Sequence, residues 1–185
     1  MTTTDIRTKT AEARSLQAVS VQQVADSIRD EALTDAQDRY AVFQRGSDLG
    51  SLLRHPDFFE RLKYGLTVGV AKALAANDPT VLAVYTYDPS SNPDSESGDT
   101  APLEATVHML ALVSTPSAAL SAFIASLDRA LTASLKSLPA PLFAQRESVL
   151  DVNLITEKDA RLGIGYAALL SSLFAPPIRV WAREP

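Results

Sequence analysis

Val81-Leu82-Ala83-Val84-Tyr85-Thr86-Tyr87 and Ala105-Thr106-Val107-His108-Met109-Leu110-Ala111-Leu112-Val113 are two apolar runs, rich in β-branched and aromatic residues, separated by Asp88-Pro89 and a polar segment. Runs of this length bounded by turn-forming residues read as two strands of one buried sheet. A third strand is expected over Ser148-Val149-Leu150-Asp151-Val152-Asn153-Leu154-Ile155. Alternation places Val149, Asp151, Asn153 and Ile155 on one of its faces and Leu150, Val152 and Leu154 on the other. Ile178-Arg179-Val180-Trp181 is short and β-prone, and suits an edge strand.

Between and before the strands the apolar spacing becomes helical. Residues 1–14 are polar and without periodicity, and are expected to be a disordered tail. Val21, Val24, Ala25, Ile28 and Leu33 mark an amphipathic helix, and Thr34-Asp35-Ala36-Gln37 has the pattern of a capping box that starts another, ending near Gly46. Ser47 opens a short helical turn through Leu49, Leu52 and Leu53. Pro56 suits the first position of a helix over 57–76, whose stripe of Phe59, Leu62, Leu66, Val70 and Ala73 is flanked by Gly65 and Gly69. Missing side chains there would let another backbone come close. Ser114-Thr115-Pro116 starts the strongest helix, with Leu120, Phe123, Ile124, Leu127, Leu131, Leu135 and Leu138 on one side and Pro139-Ala140-Pro141 at its end. Thr156-Glu157-Lys158-Asp159 caps a last helix, expected to run through Leu162, Tyr166, Leu169, Leu170 and Leu173 up to Pro176-Pro177. The fold class is therefore α+β: a small mixed sheet packed by helices and preceded by N-terminal helices, with strands 81–87, 105–113 and 149–155 as neighbours and helix 117–138 across one face.

Composition narrows the functions. The chain has 185 residues, 46% hydrophobic and 21% charged, with a formal charge of -5 and a pI near 5.0. That size suits one domain, divided here into a tail (1–14), a helical segment (15–55) and an α+β unit (56–185) that packs with the helices as one body. The negative charge opposes phosphate backbones, so no nucleic-acid partner is expected. The absence of cysteine removes disulfides, thiolate catalysis and Cys-based metal sites, and two histidines, His55 and His108, are too few for a poly-His site. The N-terminus has no basic run followed by an apolar core, and no apolar stretch reads as a membrane span, so a cytoplasmic location without membrane partner is expected.

The helix before Val81, the paired apolar runs and the third strand resemble, over about residues 57–181, the nucleotidyltransferase superfamily of aminoglycoside nucleotidyltransferases and polymerase-β-like enzymes. In that family a first strand ends at Gly-Ser and a second carries Asp-x-Asp. Here the positions read Asp88-Pro89 and Thr106-Val107-His108. The resemblance implies the fold, and the replacements imply lost catalysis. Proline removes an amide donor and Asp88 adds negative charge where a phosphate would rest, leaving Ser90-Ser91 to offer hydroxyls late. Nucleotidyl transfer needs a divalent metal held by two or three carboxylates. Asp151 occupies the place of a third carboxylate, and Glu104 shares the strand face of Thr106 and His108. Glu104, His108 and Asp151 are the candidate site residues, an improvised metal site that imidazole suits poorly for magnesium. The plainer alternative makes His108 a hydrogen-bonded strand residue and Asp151 the partner of an arginine or of backbone.

Other motifs carry less. Asp94, Glu96 and Asp99 lie in a serine-rich loop, 90–102, whose spacing does not match an EF-hand, and a solvated mobile loop is expected there. Gly163-Ile164-Gly165 is not a dinucleotide fingerprint, and no Gly-x-Ser-x-Gly occurs. Tyr40, Phe43, Phe58, Phe59 and Tyr64 read as core. The leading expectation is a nucleotidyltransferase-like binding or regulatory module that needs no cofactor, takes a protein or small-molecule partner and self-associates through its N-terminal helices. The alternatives are an active nucleotidyltransferase with an atypical magnesium site and an oligomerising structural protein of unrelated α+β fold.

Overall fold

The two apolar runs pair as β1 (Val81–Thr86) and β2 (Val107–Val113), antiparallel, with Val84 opposite Ala111 and a register irregularity between Val81 and Ala83. β3 (Leu150–Thr156) lies parallel to β2 on its other side, and β4 (Ile178–Ala182) lies antiparallel to β1, giving the order β3-β2-β1-β4. This computed structural model describes residues 3–40, 48–88, 105–173 and 175–184, with side chains from residue 21 onward. The expected neighbours are neighbours, and the short C-terminal strand takes an edge. Loop 90–102, Phe43, Gly46 and Glu104 fall outside the described residues.

A parallel pair needs a long crossover, and α4 (Ala118–Lys136) supplies it between β2 and β3. Ser117 caps α4 by accepting the Leu120 amide at 2.9 Å. By length and composition alone α4 could cross a membrane, contrary to the expectation that no stretch would. Its stripe is spent inside the protein, where Leu120, Leu127, Leu131 and Leu135 are fully buried against the same core as Val107, Met109 and Val113 of β2. The amide N–H groups of Val149 and Leu150 both donate to Asp128 Oδ1 at 2.9 Å, which fixes the start of β3 to α4. Val149 turns into this main core, whereas alternation had put it with Asp151, because it precedes the strand proper.

α1 runs from Thr3 to Tyr40 without a break. The expected restart at Thr34 is therefore corrected. Extending an existing helix gains one hydrogen bond per residue with no new nucleus, and Ala11, Glu12, Ala13 and Arg14 are strong helix formers. Thr34 does not cap: its hydroxyl donates to the Asp30 carbonyl at 2.8 Å, one turn back in the same helix. Continuity keeps Val21, Ala25, Ile28, Ala32 and Ala36 in one buried line.

That line packs on α3 (Pro56–Asn77), which follows the single turn α2 (Leu49–Leu52) capped by Asp48; Ser47, expected to open that turn, lies outside the described residues. A Cβ built on Gly65 would stand 2.9 Å from Ala32 Cα, and one on Gly69 would stand 2.8 Å from Ile28 Cγ2. Both glycines are thus the points of closest approach between the helices. α4 closes the other side of α1 through a polar seam, in which Ser134 Oγ donates to Asp26 Oδ1 at 2.6 Å and holds that carboxyl below its usual range.

At the end of α3, Asp78 is buried and accepts hydrogen bonds from Thr80 Oγ1 (2.7 Å), Thr80 N (2.8 Å) and Ser117 Oγ (2.9 Å). These donors from Thr80, then Ser117, favour its charged form and lower its pKa against the opposing effect of burial. A carboxylate with a depressed folded pKa contributes stability above its unfolded pKa, about 3.9, and loses it as pH falls through the folded value. Asp78→Ala is therefore expected to lower the unfolding free energy by about 2 kcal/mol at neutral pH. In urea titrations from pH 7 to 2, the gap to the parent chain should narrow in the acid range; a gap independent of pH would contradict the assignment.

α5 (Pro141–Ala144) buries Phe143 beside Phe59, ring centroids 5.9 Å apart. α6 (Glu157–Leu162) starts at the expected capping box: Thr156 Oγ1 accepts the Asp159 amide at 3.1 Å, and Asp159 Oδ2 accepts the Thr156 amide at 2.9 Å. The expected long last helix is not formed. α6 stops at Gly163 (φ 61°), Gly165 (φ 57°) turns the chain again, and a 3₁₀ helix follows over Gly165–Ser171. Positive φ is a conformation glycine adopts freely, and it breaks the apolar spacing that had suggested one continuous helix. The 3₁₀ helix lies over the second face of the sheet, where Leu110, Ile155 and Ala167 form a small separate core.

Candidate functional site

Parallel register sets His108 directly opposite Asp151, on the sheet face turned away from α1, α3 and α4. Their side chains meet: His108 Nδ1 lies 2.8 Å from Asp151 Oδ2. The carboxylate can only accept, so the shared proton belongs to Nδ1. Tyr87, just beyond β1, reaches the same oxygen with its hydroxyl at 3.3 Å. Asn153, two residues along β3 and on the same face, donates from Nδ2 to Asp151 Oδ1 at 3.1 Å and to the Tyr87 hydroxyl at 3.3 Å. Both carboxylate oxygens therefore have donors within the cluster.

Aromatic contacts frame the network. The Tyr87 ring centroid is 5.5 Å from His108 and 6.5 Å from Tyr166 at the start of the 3₁₀ helix. Burial, then the charge of Asp151 and the hydrogen bond to it, push the Tyr87 phenol up to about 12, so at neutral pH it stays a donor. The His108 side chain is 12% exposed and that of Asp151 is 42% exposed, so the network opens to solvent on the carboxylate side.

Two of the three candidate residues, His108 and Asp151, are brought together, while Glu104 lies outside the described residues. The pairing of Asp151 differs from the arginine or backbone partner that had seemed the plainer choice. His108 takes that place because a parallel register brings facing side chains of β2 and β3 together, and Tyr87 and Asn153 fill what remains. Tyr87 was missed as a site residue. Its signal was the alternation of Tyr85 and Tyr87, which aims both at the face that carries His108. Thr106 precedes β2, and Asp88 is exposed beyond β1. Among the described residues no group of three or more His, Asp or Glu side chains is arranged to hold a metal ion.

The α1–α3 side carries a shallow groove of about 220 Å³, lined by Ala32, Asp35, Arg39, Arg61, Tyr64 and Gly65 among others. Two of its cations, Arg61 and Arg39, each pair with Asp35, at 3.1 Å and 3.0 Å. The guanidinium of Arg61 also lies 5.6 Å from the centre of the half-exposed Tyr64 ring. Phe58 and Phe59 are core, as expected, with Tyr40 edge-on to Phe58. The chain matches no family model, no curated protein and no solved structure.

Proposed function

We propose that the protein is a nucleotidyltransferase-like binding or regulatory module without catalysis, acting in the cytoplasm on a protein or small-molecule partner. The observation that supports this reading is the hydrogen bonding of Asp151. Its oxygens accept from His108, Tyr87 and Asn153, where a metal-dependent transferase would keep a carboxylate's lone pairs for the ion. The nearest phenol stays protonated, and an imidazole stands where a second carboxylate is needed. Self-association belongs to the same proposal. Val21, Ala25, Ile28, Ala32 and Ala36 are already buried within the chain, so a second copy would meet other faces of the N-terminal helices.

Isothermal titration of the chain with each nucleoside triphosphate plus magnesium or manganese is the test. No saturable heat is expected. Micromolar affinity that is lost in Asp151→Asn would overturn the reading and make the protein an atypical transferase.

A further inference from the structure

The segment covering the second face of the sheet buries little of its own apolar surface. Over Gly165–Ser171 only Ala167 is fully buried, and the separate core beneath consists of Leu110, Ile155 and Ala167, with Tyr85, Tyr87, Leu112, Leu169 and Leu170 partly covered. Leu162, Ile164, Tyr166 and Leu173 are 59%, 55%, 52% and 92% exposed, so the closed position gives these apolar side chains little burial. Seven residues is long for a 3₁₀ helix, whose hydrogen bonds are poorer than those of an α-helix. Gly163 and Gly165, both at positive φ and with nothing within 4 Å of an added Cβ, flank Ile164 at one end. Segments with few buried apolar contacts open well below the free energy of global unfolding.

We propose that residues 163–173 are a strap that opens as a unit about Gly163 and Gly165, regulating access to the sheet face that carries Tyr87, His108, Asp151 and Asn153. Closed, the strap places Tyr166 beside Tyr87 and covers Leu110 and Ile155. Open, it uncovers an apolar strip continuous with the polar cluster, and any ligand preferring that face would shift the population toward the open form. Strap opening and nucleotide binding are independent readouts, so loss of one leaves the other standing.

Amide exchange on the full chain tests the opening first. The amides of Ala167, bonded to the Ile164 carbonyl, and of Ser172, bonded to that of Leu169, should exchange at least tenfold faster than those inside β2, with a much weaker dependence on urea. Because the chain has no cysteine, Ala167→Cys and Leu131→Cys each create a single buried thiol for labelling. The thiol at 167 should react through local opening and the thiol at 131 only through global unfolding. Gly163→Ala, strained at φ 61° in the closed form, should speed labelling at 167 by about five- to thirtyfold with its weak urea dependence kept, and the rate at 167 should stay far above that at 131. Equal exchange rates with equal urea dependence at the strap and in β2 would overturn the strap. An unchanged rate at 167 in Gly163→Ala would overturn the hinge.

Discussion

Leu127→Asp is expected to unfold the chain or to move its urea midpoint down steeply, the largest effect of any single substitution considered. Leu127 is fully buried in the middle of α4, within the core shared with β1, β2, α1 and α3. Losing a buried leucine side chain costs about 2 to 5 kcal/mol where the surroundings relax only partly. Placing a carboxylate there without a partner adds several kcal/mol, or forces the group to remain protonated. Domains of this kind hold about 5 to 15 kcal/mol in total, so the sum reaches the whole stability. Ala125→Asp, two residues away on the exposed face of the same helix, should stay within about 0.5 kcal/mol of the parent. Circular dichroism through a urea series distinguishes the two. Equal midpoints for both variants would mean that α4 does not pack across the sheet.

Gly65→Val comes second, and its cost is steric. Gly65 lies inside α3, where any other residue except proline would be the better helix former by up to about 1 kcal/mol. Local propensity therefore favours the substitution, and only the neighbouring helix opposes it. With Ala32 Cα and Cβ each 2.9 Å from the position of a new Cβ, α1 and α3 must separate along their line of contact. Overpacking of this kind costs about 1 to 3 kcal/mol, and the branched side chain sits at the upper end. Gly65→Ala should destabilise less than Gly65→Val, and Ala32→Gly should partly rescue Gly65→Ala while being destabilising alone. That coupling is read from a double-mutant cycle. A Gly65→Val protein as stable as the parent would contradict the close approach of the two helices.

Much of the architecture was legible because its causes are local. The apolar runs around Val84 and Leu110, the stripe from Leu120 to Leu135, Pro56 at a helix start and the reciprocal cap of Thr156 and Asp159 each act within a few residues, and each is found where the sequence placed it. The assignment of Asp151, Asn153 and Ile155 to one face followed from strand alternation alone. Local signals misled where a distant partner outweighed them. Thr34 matches a capping box, yet burying Ala32 and Ala36 in a single line against α3 keeps α1 continuous through it.

What the sequence by itself determined, then, is the identity and order of the strands, the main crossover helix and the faces on which the candidate residues sit, since periods of two and 3.6 are written along the chain. Only the tertiary structure decided that the leucines after Gly163 belong to a 3₁₀ segment laid over Leu110 and Ile155, a choice made by two glycines at positive φ and by the sheet face that needed cover. It likewise decided that Asp151 partners His108, Tyr87 and Asn153. Those contacts join residues up to 64 positions apart through the register of β1, β2 and β3, and strand register is a property of the packed sheet that no single strand contains.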